Sequence, residues 1–161
     1  MESDTTVVVV MGEPTVDPVR MVLVELLCRL HALYSIHRSA HWQVVGEPYY
    51  GDHLLFQRLY KVLDAEIDKL AERMVYVIGP DTVDADLIVR AQCDMVLDWT
   101  YEESCPYARA TAAEEGLVDC TERAMSALED SNHLTLGWED FLGAVAAQHE
   151  EHLYLLAARL G

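Results

Sequence analysis

At 161 residues the chain suits one domain with room for a substantial core. Hydrophobic residues make up 52% of it, which excludes a disordered chain. The formal net charge is −17 and only two lysines occur, Lys61 and Lys69, which argues against binding the phosphate backbone of duplex DNA. An acidic surface suits cation handling, and equally suits a protein kept soluble in a salty cytoplasm.

Residues 1–16 read as an N-terminal tail, and residues 17–161 as one helical domain. The tail has no basic residue, and its apolar run is too short for a signal peptide or a membrane span, so a cytoplasmic protein with no membrane partner is expected. Asp17-Pro18 is a helix start, with Asp at the N-cap and Pro at the first helical position. From there Leu23, Leu26, Leu27, Leu30, Tyr34, His37 and His41 recur at threes and fours, predicting a helix to about Val45, before Gly46-Glu47-Pro48. A second helix is predicted from about Tyr50 to Ile78, with Leu55, Phe56, Leu59, Leu63, Ile67, Leu70 and Met74 on its core face and Gly79-Pro80 as its stop. Leu87 to Trp99 is helix-compatible and reads as a short helix within a long crossover. A third long helix should run from about Tyr107 to Asp130, weakened at Gly116, and a fourth from about Trp138 to Leu160. Four main helices with one long connection give an all-α, ferritin-like four-helix bundle. Cys28, Cys93, Cys105 and Cys120 form no CxxC pair and read as thiols, Cys28 in the core and Cys105 as the one to suspect of reactivity.

The stretch from His41 to Arg73, HWQVVGEPYYGDHLLFQRLYKVLDAEIDKLAER, carries the chemistry. It has one histidine at a helix end, His41, and another just past the Gly/Pro turn, His53. Asp68 and Glu72 follow, one helical turn apart. Histidines with carboxylates suit a borderline divalent metal such as iron. Fifteen residues of straight helix separate His53 and Asp68 by roughly 22 Å, so they cannot share a metal within one chain. A common site needs a second copy of the helix, which predicts an inter-subunit site.

The order HW, V, G, an aromatic pair, H, L-Y, D-x-x-x-D and A-E-R resembles the Dps family of mini-ferritins, and DFLGAVAAQHEEHLYLLAARLG is similar to the family's last helix. The resemblance implies a short extra helix in the middle crossover, a homo-oligomeric hollow shell of twelve subunits, and ferroxidase activity. The substrates would be Fe(II) and hydrogen peroxide, the ferric product would be stored inside, and the cell would be protected from oxidative stress. It also implies that His41 and His53 from one subunit bind iron with Asp68 and Glu72 from its partner, and that Trp42 intercepts oxidising equivalents. Family members commonly carry aspartate where this chain has Gln57, one turn after His53. A neutral amide is a poorer ligand for a hard cation, so one tight and one weak iron are expected, and a weakened activity is expected. The competing reading is a non-catalytic metal-binding or structural shell with a disabled second iron site.

Other candidates read more plainly. His37 reads either as a core histidine with a satisfied ring nitrogen or as a metal ligand. His149 and His152, beside Glu150 and Glu151, look like ligands but read as surface or interface residues. Bacterioferritin-type sites place Glu-x-x-His on two helices, whereas residue 149 is His and the second helix has no histidine after His53, so no intra-subunit di-iron site is expected. Asp140 is either a pore carboxylate or a helix N-terminal acid favoured by the dipole.

Overall fold

The computed structural model describes residues 17–98 and 105–161 in full, and the backbone of 99–102. The expected tail, residues 1–16, lies outside the described residues. Among these, five α-helices follow one another: α1 Pro18–Gln43, α2 Tyr49–Ile78, α3 Ala85–Glu102, α4 Pro106–Asp130 and α5 Leu136–Leu160. A 3-10 turn, Pro80–Val83, links α2 to α3. α1 packs on α2 and α4, α4 packs on α5, and α3 lies against α1, giving the expected all-α bundle with its extra crossover helix. No helix is long and apolar enough to cross a membrane.

Local chemistry sets the helix ends. The Asp17 carboxylate accepts the Val19 N–H at 3.0 Å and Pro18 occupies the first turn, as its fixed φ favours. α1 closes at Gln43, two residues earlier than expected, because the chain turns extended at Val44 and Gly46 then takes φ +92°, which a side chain would strain. α3 is longer than the expected helix: Asp84 accepts the Asp86 N–H at 2.9 Å and starts it at Ala85. α5 likewise begins before Trp138, because Thr135 Oγ1 accepts that residue's N–H at 3.3 Å. Gly116 does not interrupt α4, whose flanking Ala113 and Leu117 are fully buried.

The apolar core is in two parts. The larger holds Leu23, Leu27, Leu30, Leu63, Leu117 and Leu142 among others. The smaller holds Ala40, Val44, Phe56, Leu59, Ala110 and Leu156. A buried Leu or Phe contributes roughly 1.5–3 kcal/mol, so both parts drive folding. Between them the inward stripes turn polar. His37 precedes Ala40 on α1, Glu114 lies between Ala110 and Leu117 on α4, and His149 and His152 lie between Val145 and Leu156 on α5. All four polar residues have 0% exposure. Cys28 and Cys120 are buried free thiols, and Cys93 and Cys105 are exposed ones.

Candidate functional site

Two groups of metal-capable side chains emerge, at different depths. The first sits at the corner where α1 passes to α2. His41 Nδ1–H donates to the His53 carbonyl oxygen at 2.8 Å, and His53 Nδ1–H donates to the His41 carbonyl oxygen at 3.0 Å. A carbonyl only accepts, so this reciprocal pair fixes the proton on Nδ1 in both rings. Each Nε2 then has no hydrogen-bond partner among the described residues. The rings stack with centroids 3.7 Å apart. His41 is buried and His53 half-buried, while Gln57, one turn on, is half-buried. Trp42 is 67% exposed, with the Arg38 guanidinium 5.2 Å from its ring centroid. Val45, Tyr49, Tyr50 and Leu54 are exposed apolar neighbours in sequence.

Asp68 and Glu72 lie far along α2 from this pair, and both are exposed. α2 runs unbroken from Tyr49 to Ile78, so the roughly 22 Å separation of His53 and Asp68 holds and one chain does not bring the four residues together.

The second group lies inside the bundle. Glu114 accepts from His37 Nε2–H at 2.7 Å and from His152 Nδ1–H at 3.0 Å on one oxygen, and from His149 Nδ1–H on the other. His149 Nε2–H donates to Glu66 of α2 at 3.0 Å. The Gln148 amide meets His152 Nε2 at 3.1 Å. One ligand atom each from Glu114, His149 and His152 lies within 4.8 Å of the others. Burial would push the Glu114 carboxyl up, but hydrogen bonds from His149, His152 and His37 hold it well below the usual range. Burial pulls His149 down, yet Glu114 and Glu66 outweigh it and push the imidazole up to about 9. His37 is pushed down by burial, which Glu114 only partly offsets.

This arrangement corrects the expectation that His149 and His152 are surface or interface residues. Their spacing to Val145 and Leu156 continues the apolar stripe of α5, so the helix turns them inward. His37 takes the plainer of its two readings, a core histidine with one ring nitrogen satisfied. Sequence reasoning missed Glu114 and Glu66. The signal was available: Glu114 falls on the stripe of Ala110, Ala113 and Leu117, and Glu66 stands three residues after Leu63 and four before Leu70. A carboxylate in an otherwise apolar register is costly unless paired.

No protein-family model matches the sequence, and no curated protein matches it. Solved structures do. The Dps of Thermosynechococcus elongatus superposes with a TM-score of 0.75 at 20% identity, covering 89% of this chain and 90% of that one. The Dps protein of Vibrio cholerae O1, a member of a broad superfamily of ferritin-like diiron-carboxylate proteins, gives 0.73 at 18% identity over 99% of this chain and 100% of that one. An archaeal Dps homologue from Halobacterium salinarum gives 0.71 at 18% identity, covering 100% and 93%. The chain has the Dps mini-ferritin fold.

Proposed function

We propose that this Dps-fold protein assembles as a closed homo-oligomer, of twelve subunits by resemblance to Dps, and oxidises and stores iron at its two-fold interfaces. The observation that carries the proposal is the reciprocal hydrogen bonding of His41 and His53, which leaves the Nε2 atoms of two stacked rings as lone-pair donors. Asp68 and Glu72 of a second copy supply the oxygens the pair lacks, because α2 is too long for its own carboxylates to reach. The exposed apolar corner of Trp42, Val45, Tyr49, Tyr50 and Leu54 supports burial against that copy.

Fe(II) is the substrate. The histidines and carboxylates hold it, and hydrogen peroxide takes one electron from each of two Fe(II) and two protons from solvent as its O–O bond breaks to give two waters. Trp42, exposed and next to His41 in the chain, would intercept oxidising equivalents, as the resemblance to Dps implies. Gln57 supplies a neutral amide beside His53, so the position nearest His41 with Asp68 and Glu72 binds iron more tightly than the His53 position. Duplex DNA is not a proposed partner of a chain with net charge −17.

Stopped-flow oxidation of Fe(II) with stoichiometric peroxide tests the proposal on the assembled protein. Oxidation well above the protein-free rate, lost in Asp68→Ala, is the expected result. Gln57 favours one other reading, a binding shell without ferroxidase activity. That reading predicts iron uptake with no acceleration.

A further inference from the structure

The bundle interior holds a second group of donors that the interface chemistry does not use. Four helices each bring polar side chains to one level: His37 from α1, Glu66 from α2, Glu114 from α4, His149 and His152 from α5. This polar level divides the apolar core in two, and a buried charged network is weak evidence for stability in itself. We propose that Glu114, His149 and His152 of a single chain bind one divalent first-row metal ion, of the zinc or ferrous class, inside each subunit.

Three observations carry this. The first is geometry. The three ligand atoms lie within 4.8 Å of one another, and His149-x-x-His152 places two imidazoles one turn apart on one helix face. Tetrahedral metal–ligand bonds of about 2.0–2.1 Å require ligand separations near ~3.4 Å. The present contact of 3.0 Å between His152 and Glu114 needs only a small outward shift.

The second observation is the outer ring of partners. Each ligand already has a second contact of the kind that orients metal ligands. His149 Nε2–H donates to Glu66, His152 Nε2 meets the Gln148 amide, and the Glu114 carboxylate receives His37 Nε2–H. With the metal on the two Nδ1 atoms, the contacts of Glu66 and His37 persist and that of Gln148 reverses. His149 releases its Nδ1 proton to solvent as the ion enters during folding, and the His152 proton moves to Nε2, where the Gln148 amide oxygen accepts it after an amide flip.

The third is charge and an orphaned atom. Glu114 and Glu66 bring two carboxylates to this one level of the bundle. A divalent cation with neutral imidazoles brings the buried level to neutrality. His37 Nδ1, fully enclosed, has no hydrogen-bond partner among the described residues, a state that native interiors rarely tolerate without an ion or water nearby. Three histidines against two carboxylates also differ from the carboxylate-rich set that binds paired iron in bundle cores, so the site takes one ion.

His149, His152 and Glu114 are sealed from solvent, so the ion is best supplied during synthesis. The full-length Asp68→Ala/Glu72→Ala protein, in which the proposed interface site lacks its carboxylates, is expressed in medium supplemented with Co(II) or Zn(II). The expected result is about one ion per chain after desalting. The Co(II) form should show the intense visible d–d bands of a low-coordinate nitrogen/oxygen site. Adding His152→Gln or Glu114→Gln should cut the retained metal at least tenfold. Crystals of the Zn(II)-loaded wild-type protein should show an anomalous peak bonded to His149 and His152, a readout that holds whether or not the variants fold. A peak confined to His41 and His53, or metal retained undiminished in folded His152→Gln protein, overturns the proposal. Failure of the interface chemistry leaves this outcome untouched, because the carboxylates of the interface are already removed.

Discussion

The histidine pair at the α1–α2 corner and the histidines inside the bundle differ in what fixes their rings. At the corner, backbone carbonyls hold Nδ1 of His41 and His53, so the outward nitrogens stay available and the group is incomplete without another chain. In the interior, a carboxylate holds Nδ1 of His149 and His152, so the inward nitrogens are already engaged and the group is complete within one chain. The same side chain is therefore prepared for an intermolecular role in one place and an intramolecular one in the other. The difference lies in the partner of Nδ1, a carbonyl at the corner and a carboxylate inside, rather than in residue type.

The largest expected effect separates the two regions by stability. Glu114→Ala leaves three buried imidazoles without their common acceptor and should cost about 3–5 kcal/mol in denaturant unfolding of the metal-free protein. Asp68→Ala, exposed and away from both core parts, should change stability by less than ~0.5 kcal/mol in the same measurement. Equal losses would remove the distinction between a sealed group and an open one.

Activity should divide the other way. Asp68→Ala or Glu72→Ala should slow peroxide-driven Fe(II) oxidation at least tenfold, more than ~1.4 kcal/mol of barrier, in stopped-flow absorbance. His152→Gln, checked for helicity and assembly, should keep at least half the wild-type rate, since the interior group takes no part. If the interior substitution abolishes oxidation as well, the two groups are not independent.

Gln57 sharpens the corner itself. Gln57→Asp places a charged oxygen beside His53 and should speed oxidation by up to about tenfold, whereas Gln57→Ala should leave the rate nearly unchanged. No gain from the aspartate would mean that another group already serves the second iron.

The smallest effect comes from a charge group outside both regions. Glu25 of α1 accepts from Arg123 of α4 at 2.8 Å and from Arg29 at 2.9 Å. The hydrogen bond from Arg123 holds its carboxyl below the ordinary value of 4.5, against partial burial, with Arg29 adding to the effect. Because the folded value lies below the unfolded one, the stabilisation is complete above about pH 4.5 and is lost as pH falls through the folded value. Glu25→Gln should cost about 1 kcal/mol at neutral pH and nothing once the wild-type carboxyl is protonated, read from thermal unfolding across the acid range.

The helices and the pairing of His41 with His53 were legible in the chain. Apolar residues at threes and fours, Asp17-Pro18 and the Gly46 and Gly79 breaks define α1 and α2 because periodicity and capping act within a few residues. The distance from His53 to Asp68 was legible for the same reason: rise per residue is a local constant. That His37, Glu66, Glu114, His149 and His152 meet was not legible before the helices were packed. They come from four helices separated by as many as 115 positions, and their level depends on how far each helix slides along its neighbours. No local rule sets that offset. It follows from packing the two apolar parts of the core, whose stripes align only when the polar residues between them share one level.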